Sequence, residues 1–364
     1  MRVKCLLSIL LLLPAFSFYS CNESEKPITK EEAMDFAKRL EISIGKRDGS
    51  FMDNALNIKI LLKRAGIPNR SGAQSGFESS MKLGTAIVNS LSQKGNYTFV
   101  KEYEKDNIPH LLFRLYESGK LNYHDLELVR SNGNCQIADL YIYISGENFS
   151  ETLHSIYLQL ANDFEKSSAD DESMKWTKKS TEIRSLINQN RNQEAKEIFD
   201  EIPDKYKSGK AFQIMHILIC SGLSDEEYIA AIDEYKKLYP NEPNTNLIMI
   251  DGYILQKDYN KALDAVNALD KQIDKDPFLD FYRYLVYNML QEKDKSKEYI
   301  EKLVKNEPDF GEGLLELIAT YLEDHEYEQV RPFVEKYRSR REFDQSNLDR
   351  LLIRYPDFNE PNSN

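Results

Sequence analysis

Five side chains in the first half of the sequence have the chemistry of acid–base work: His110, His124, Asp125, Asp139 and Glu147. A histidine held by a carboxylate takes up or gives a proton when the two reach each other and a substrate. His124 and Asp125 are adjacent on one β-prone segment. Their side chains therefore leave opposite faces and form no dyad with each other. The four cysteines, Cys5, Cys21, Cys135 and Cys220, stand at no zinc-ligand spacing. There is no glycine-rich phosphate loop and no nucleophile elbow. The residues predict a solvated sheet face rather than an active site. The sequence as a whole predicts no enzyme, no cofactor and no metal. Catalysis or ligand binding through His110 or His124 is the alternative.

The stronger signal is a period. Tyr253, Tyr287 and Tyr321 stand 34 residues apart, and Ile219 lies one step before them. Ile232, Val266, Ile300 and Val334 keep the same step, as do Tyr235, Leu269, Leu303 and Tyr337. Helical patterning at that period marks stacked helix–turn–helix repeats. One helix pair cannot bury its apolar face alone, so neighbours stack into a continuous core. The expected pairs are 210–221 with 225–239, 245–257 with the helix of Ala262, Val266 and Leu269, 278–292 with 295–305, and 313–323 with 326–338. An irregular pair carrying Ala195, Phe199 and Ile202 precedes them. A capping helix, 343–355, follows with Leu348, Leu351 and Leu352.

At the other end, Arg2 and Lys4 precede an apolar run from Leu6 to Phe18. That run is too short to cross a bilayer comfortably. Small Ser20 and then Cys21 follow, the pattern of a secretory signal peptide. Phe18-Tyr19-Ser20-Cys21 also resembles a bacterial lipobox, with Phe18 and Tyr19 where Leu and a small residue are commoner. The resemblance implies a lipid on Cys21, and Asn22 in place of aspartate implies the outer membrane. Cys135 and Cys220 remain, expected as free, buried thiols. The net charge of −12 argues against nucleic acid, which requires a basic face.

These signals divide the chain into a signal peptide (1–20), a lipidated tether (21–28), an α+β domain (29–150), a bridging helix and linker (151–175, with 167–173 as the linker proper), helical repeats with a C-terminal cap (176–356) and a disordered tail (357–364). The α+β domain begins with the capping box Thr29/Glu32 and the stripe Ala33, Phe36, Ala37, Leu40, Ile44. Helices at 52–65 and 77–91 flank a polar loop at 69–76. Strands then follow at 97–100, 111–116, 121–130 and 136–145, with Asn132-Gly133 as a hairpin turn. Helices followed by a curved antiparallel sheet, and the hairpin pair around Asn132-Gly133, resemble the NTF2-like domains. That resemblance implies a pocket between helices and sheet, used for binding, assembly or catalysis.

The repeats resemble the tetratricopeptide family. Tyr253, Tyr287 and Tyr321 match its first-helix aromatic, Asp258-Tyr259 and Glu326-Tyr327 its turn, and Ala262 and Ser296 its small second-helix position. Tyr228 and Val330 depart from that position, and His216, Ile250, Tyr284 and Ile318 depart from the small first-helix one. The resemblance implies an all-α solenoid whose groove is lined by Lys210, Gln213, Asn244, Asp251, Phe278, Phe281, Asn288 and Glu312. The expected function is an exported, membrane-anchored scaffold that holds a protein or peptide of the cell envelope in that groove. Small-molecule binding by the first domain and a part in glycan uptake are the alternatives. Glycan uptake requires an exposed row of aromatics, whereas tyrosines at repeat spacing pack.

Overall fold

The structure is a computed structural model describing residues 26–68, 81–154, 157, 171–242, 244–340 and 343–358. The expected signal peptide, Cys21, the loop at 69–76, most of the bridging helix and the tail at 359–364 lie outside those residues. The first domain opens with α1 (Lys30–Gly45), α2 (Ser50–Ala55), α3 (Ile58–Arg64) and α4 (Leu83–Ser90). The Thr29 hydroxyl accepts the Glu32 N–H at 3.2 Å, and the Glu32 carboxylate accepts the Thr29 N–H at 2.8 Å, so the capping box is complete. The single helix expected over 52–65 is two. Leu56 leaves the helical path to bridge Ile137, and Asn57 restarts the helix by capping Ile60.

Strands β1 (Asn96–Lys105), β2 (Ile108–Glu117), β3 (Lys120–Ser131), β4 (Asn134–Ile142) and the short β5 (Glu147–Asn148) form an antiparallel meander in chain order. Its three long hairpins turn on Asp106-Asn107, Ser118-Gly119 and Asn132-Gly133, each with positive φ at both residues. That is the primed turn whose twist matches the flanking strands. The inner face of the sheet, with Phe99, Leu111, Phe113, Leu126 and Ile137, packs on Phe36, Leu40, Met52 and Leu61 of the helices.

The second region is helical throughout: α5 (Asp171–Asn188), α6 (Asn192–Asp200), α7 (Asp204–Lys207), α8 (Lys210–Cys220), α9 (Asp225–Leu238), α10 (Thr245–Leu255), α11 (Tyr259–Gln272), α12 (Leu279–Met289), α13 (Lys293–Asn306), α14 (Gly311–Glu323), α15 (Tyr327–Arg338) and α16 (Gln345–Leu352). Helix α5 begins inside the segment read as linker, so 171–173 are helical. The two second-helix columns are buried at every step, from Ile232 and Tyr235 to Val334 and Tyr337. Ser224, Asp258 and Asp344 cap α9, α11 and α16 through their side chains. Ile250, Tyr284 and Ile318, large where the tetratricopeptide pattern has small residues, are buried too.

The outer face of the sheet was expected to be solvated, and it is not. Leu112, Tyr116, Leu121, Tyr123 and Tyr143 share one hydrophobic core with the helices from α8 onward. The sheet is thus a middle layer, with helices on one face and repeats on the other. Arg114 lies in this seam, 1% exposed. It meets Asp276 at 2.6 Å and Glu307 at 3.0 Å, and its guanidinium stacks 4.2 Å from the Phe278 ring. Replacing Arg114 by Met leaves two carboxylates facing a dry seam, and breaking one partner of such a pair costs about 3–5 kcal/mol. Arg114→Met is therefore expected to lower the urea midpoint and to separate the unfolding of sheet and repeats. An unchanged single transition would contradict this account.

Candidate functional site at the seam of sheet and repeats

The N-terminal ends of α10, α12 and α14 meet the sheet. Phe278 precedes α12 and Phe310 precedes α14, and both rings pack edge-on or tilted against Tyr116, with centroids 4.9 and 5.3 Å away. Phe281, one turn into α12, closes the group. Tyr116 donates its hydroxyl to Glu312 at 2.5 Å, and Tyr123 donates to Asp276 at 2.8 Å. Asp276 also accepts the Phe278 N–H at 3.0 Å, so one carboxylate joins Arg114, Tyr123 and the start of α12. Burial works against the Arg114 charge, but Asp276 and Glu307 outweigh it and raise its pKa.

The eight residues projected as the groove fall into three groups. Asn244, Phe278, Phe281 and Glu312 face this chain's own first domain. Asn244 is fully buried, accepts from Tyr235 at 2.7 Å and lies against Gly146 of the β4–β5 turn. Lys210 and Gln213 belong to a network within the repeats, with Lys210 3.0 Å from Glu242 and Gln213 donating to the Lys207 carbonyl at 3.0 Å. Asp251 and Asn288, in the C-terminal halves of α10 and α12, stay exposed. Asp251 is open to solvent, yet protein crowds it enough that desolvation pushes its carboxyl up to about 6, against a bond from Tyr228. A small cleft of about 100 Å³ beside Asn288 adds Tyr284, Glu316 and Glu323 to this open part.

The tyrosine column is core. Tyr253 and Tyr321 are buried and Tyr287 is half-buried. Lys261 and Lys295, themselves one repeat apart, lie over the rings of Tyr253 and Tyr287 at 5.7 and 4.9 Å.

The acid–base candidates are dispersed. Asp139 is buried and accepts from Ser150 N–H and Oγ at 3.1 and 2.6 Å, and Glu147 accepts from the Thr152 hydroxyl at 2.8 Å, so both hold the segment around residue 150. His124 and Asp125 do point to opposite faces. Asp125 instead contacts His110 Nδ1 on the neighbouring strand at 3.0 Å and accepts the Tyr103 hydroxyl. This trio was missed because a diagonal cross-strand pair is defined only once the β2–β3 register is known. Cys135 and Cys220 are free thiols, but only Cys220 is buried. Cys135 is half-exposed because it lines a cleft of about 630 Å³ between α1, α2 and the β3–β4 hairpin, with Phe36, Phe51 and Arg39. Burial raises both thiols to about 11.

No family model matches the chain, and no curated protein does. Among solved structures, a chain described as "MamA RS-1 ArsTM double mutant" is similar at 17% identity, covering 50% of this chain and 98% of that one, with a TM-score of 0.36.

His124 supplies a pH signature. It lies on the inner face beside Tyr97, and burial lowers its pKa from 6.5 to about 4. Above pH 6.5 the imidazole is neutral in both folded and unfolded chains. As pH falls from 6.5 towards 4, the unfolded chain takes up a proton that the fold refuses, so stability is lost across that window. The loss is at most about 3 kcal/mol. Urea midpoints at about pH 7.5 and about pH 4.5 should therefore differ less in His124→Gln than in the parent. Equal differences would contradict the assignment.

Proposed function

We propose that this chain is an exported, lipid-anchored interaction scaffold that binds a protein segment along the open part of its repeats. One observation carries the reading. The sheet covers the N-terminal ends of α10, α12 and α14, while their C-terminal halves present Asp251, Asn288 and the adjoining cleft to solvent. A partner would contact a surface half of which the chain has already filled with its own tyrosines and phenylalanines. The address rests on sequence: the apolar run, Ser20 and Cys21 favour a lipid anchor in the cell envelope, on the outer membrane.

A second reading makes the first domain a ligand-binding or catalytic unit of NTF2-like plan, with the repeats as its platform. The contact of His110 with Asp125 and Tyr103 favours it, because Nδ1 held by a carboxylate leaves Nε2 as a base. Support for the glycan-uptake reading is weakened by the buried tyrosine column.

Cys21→Ala is expected to release the protein from membranes into the soluble fraction; a variant that stays membrane-bound would rule out the anchor. Photo-reactive side chains placed at 251 and 288 in the native envelope should yield a discrete protein adduct, and one placed at 281 should yield none. Adducts at 281 but not at 251 or 288 would overturn the assignment of the open surface. The absence of adducts at all three would favour the second reading.

A further inference from the structure

The open part of the repeats carries an apolar strip between carboxylates that have no cation of their own. We propose, resting on the scaffold reading, that the protein segment bound there has lysine or arginine side chains flanking an apolar middle.

Two columns of the 34-residue period cross this surface. Asp251, Leu285 and Ala319 form one, and Leu255, Met289 and Glu323 form the other. Ala319 and Glu323 line the cleft beside Asn288, so both columns face the side on which that cleft opens. Leu285 and Met289, on α12, hold the middle. Met289 is 44% exposed and Leu285 is half-buried. The carboxylates stand to either side, Asp251 on α10 and Glu316 and Glu323 on α14.

Among the described residues none of these three carboxylates pairs with a cation. Asp251 accepts the Tyr228 hydroxyl, Glu316 accepts the Tyr284 hydroxyl at 2.5 Å, and Glu323 accepts the Tyr355 hydroxyl at 3.3 Å. A tyrosine hydroxyl orients a carboxylate without cancelling its charge, and most of its lone pairs stay open to further donors. The rise of the Asp251 carboxyl to about 6 is what a cation beside it would reverse. Asp324, in the same cleft, is already met by Lys297 at 2.8 Å. Lys293 also lines the cleft, exposed and in no ion pair among the described residues. Three unpaired carboxylates against that one lysine leave the surface acidic. It therefore repels an acidic segment and complements a basic one, while Leu285 and Met289 offer the apolar contact between.

Fluorescence anisotropy of the full chain with three labelled, capped peptides tests this. The first is Lys-Lys-Leu-Leu-Leu-Lys-Lys, and the others have glutamine or glutamate in place of every lysine. The lysine peptide is expected to bind, and the other two at least about tenfold more weakly. An exposed ion pair is worth at most about fivefold, so the three acids are removed together. Asp251→Asn with Glu316→Gln and Glu323→Gln should weaken the lysine peptide by at least about tenfold. The same charge change at exposed acids elsewhere, Glu182→Gln with Glu226→Gln and Glu328→Gln, should weaken it by less than about twofold. Unaltered urea midpoints would show that both variants fold. The proposal is overturned if the lysine peptide gives no signal at about 1 mM, if either other peptide binds as well, or if the two triple variants lose affinity equally. An adduct at 251 or 288 with a segment lacking lysine and arginine would overturn it while leaving the scaffold reading intact. No adduct at either position would remove both.

Discussion

A guanidinium buried at the centre of a protein must be paired, and Arg114 is paired across the boundary between two domains. It reaches from the sheet to Asp276 and Glu307, which lie on the connections leading into α12 and α14. A buried ion network of this kind contributes little net stability, since desolvation offsets most of its attraction. Its effect is registry: any sliding of the sheet over the repeats would strand charges in a dry seam. The favourable energy comes from the rings around it. Tyr116, Phe278, Phe281 and Phe310 bury large apolar areas in edge-to-face contact, and Tyr123 and Tyr143 extend the same layer.

That seam changes what the repeats offer. Helix N-termini attract carboxylates and hydroxyls because their N–H groups lack partners. Here Asp276 meets that need at α12, while the sheet's own side chains cover the neighbouring surface. The face projected as a groove is therefore divided along its length. Its N-terminal edge is internal structure, and its C-terminal edge, with Asp251 and Asn288, is free surface.

The periodic part of the fold was legible because each repeat restates the same packing problem. Ile232, Val266, Ile300 and Val334 share a column, and all four are buried. Turn chemistry was equally readable: Asn132-Gly133 has the positive φ pair that its residue types favour. The break at Leu56-Asn57 was not, because a tertiary bridge to Ile137 overrides helical pattern. The covered outer face left a trace in β2. Leu111, Phe113 and Leu115 point one way, Leu112 and Tyr116 the other, and apolar residues on both faces signal a strand buried on both sides. Arg114 in that run disguised the signal, since its partners lie 162 and 193 residues away in sequence. The His110–Asp125 contact and the two-domain seam depend on register and docking, which one sequence does not encode locally.

The central claim is that the sheet docks on the repeats of its own chain. A disulfide across the seam tests it most directly. A Cβ on Gly146 would lie 2.7 Å from Nδ2 and 2.9 Å from Cγ of Asn244, within reach of a disulfide once both positions are cysteine. In a chain with Cys5, Cys21, Cys135 and Cys220 replaced by alanine, Gly146→Cys with Asn244→Cys, strained at position 146 by its φ of 64°, should still oxidise to an intramolecular bond that is independent of protein concentration. Two thiols that stay reduced under mild oxidant, or that link only between molecules, would contradict the docked arrangement.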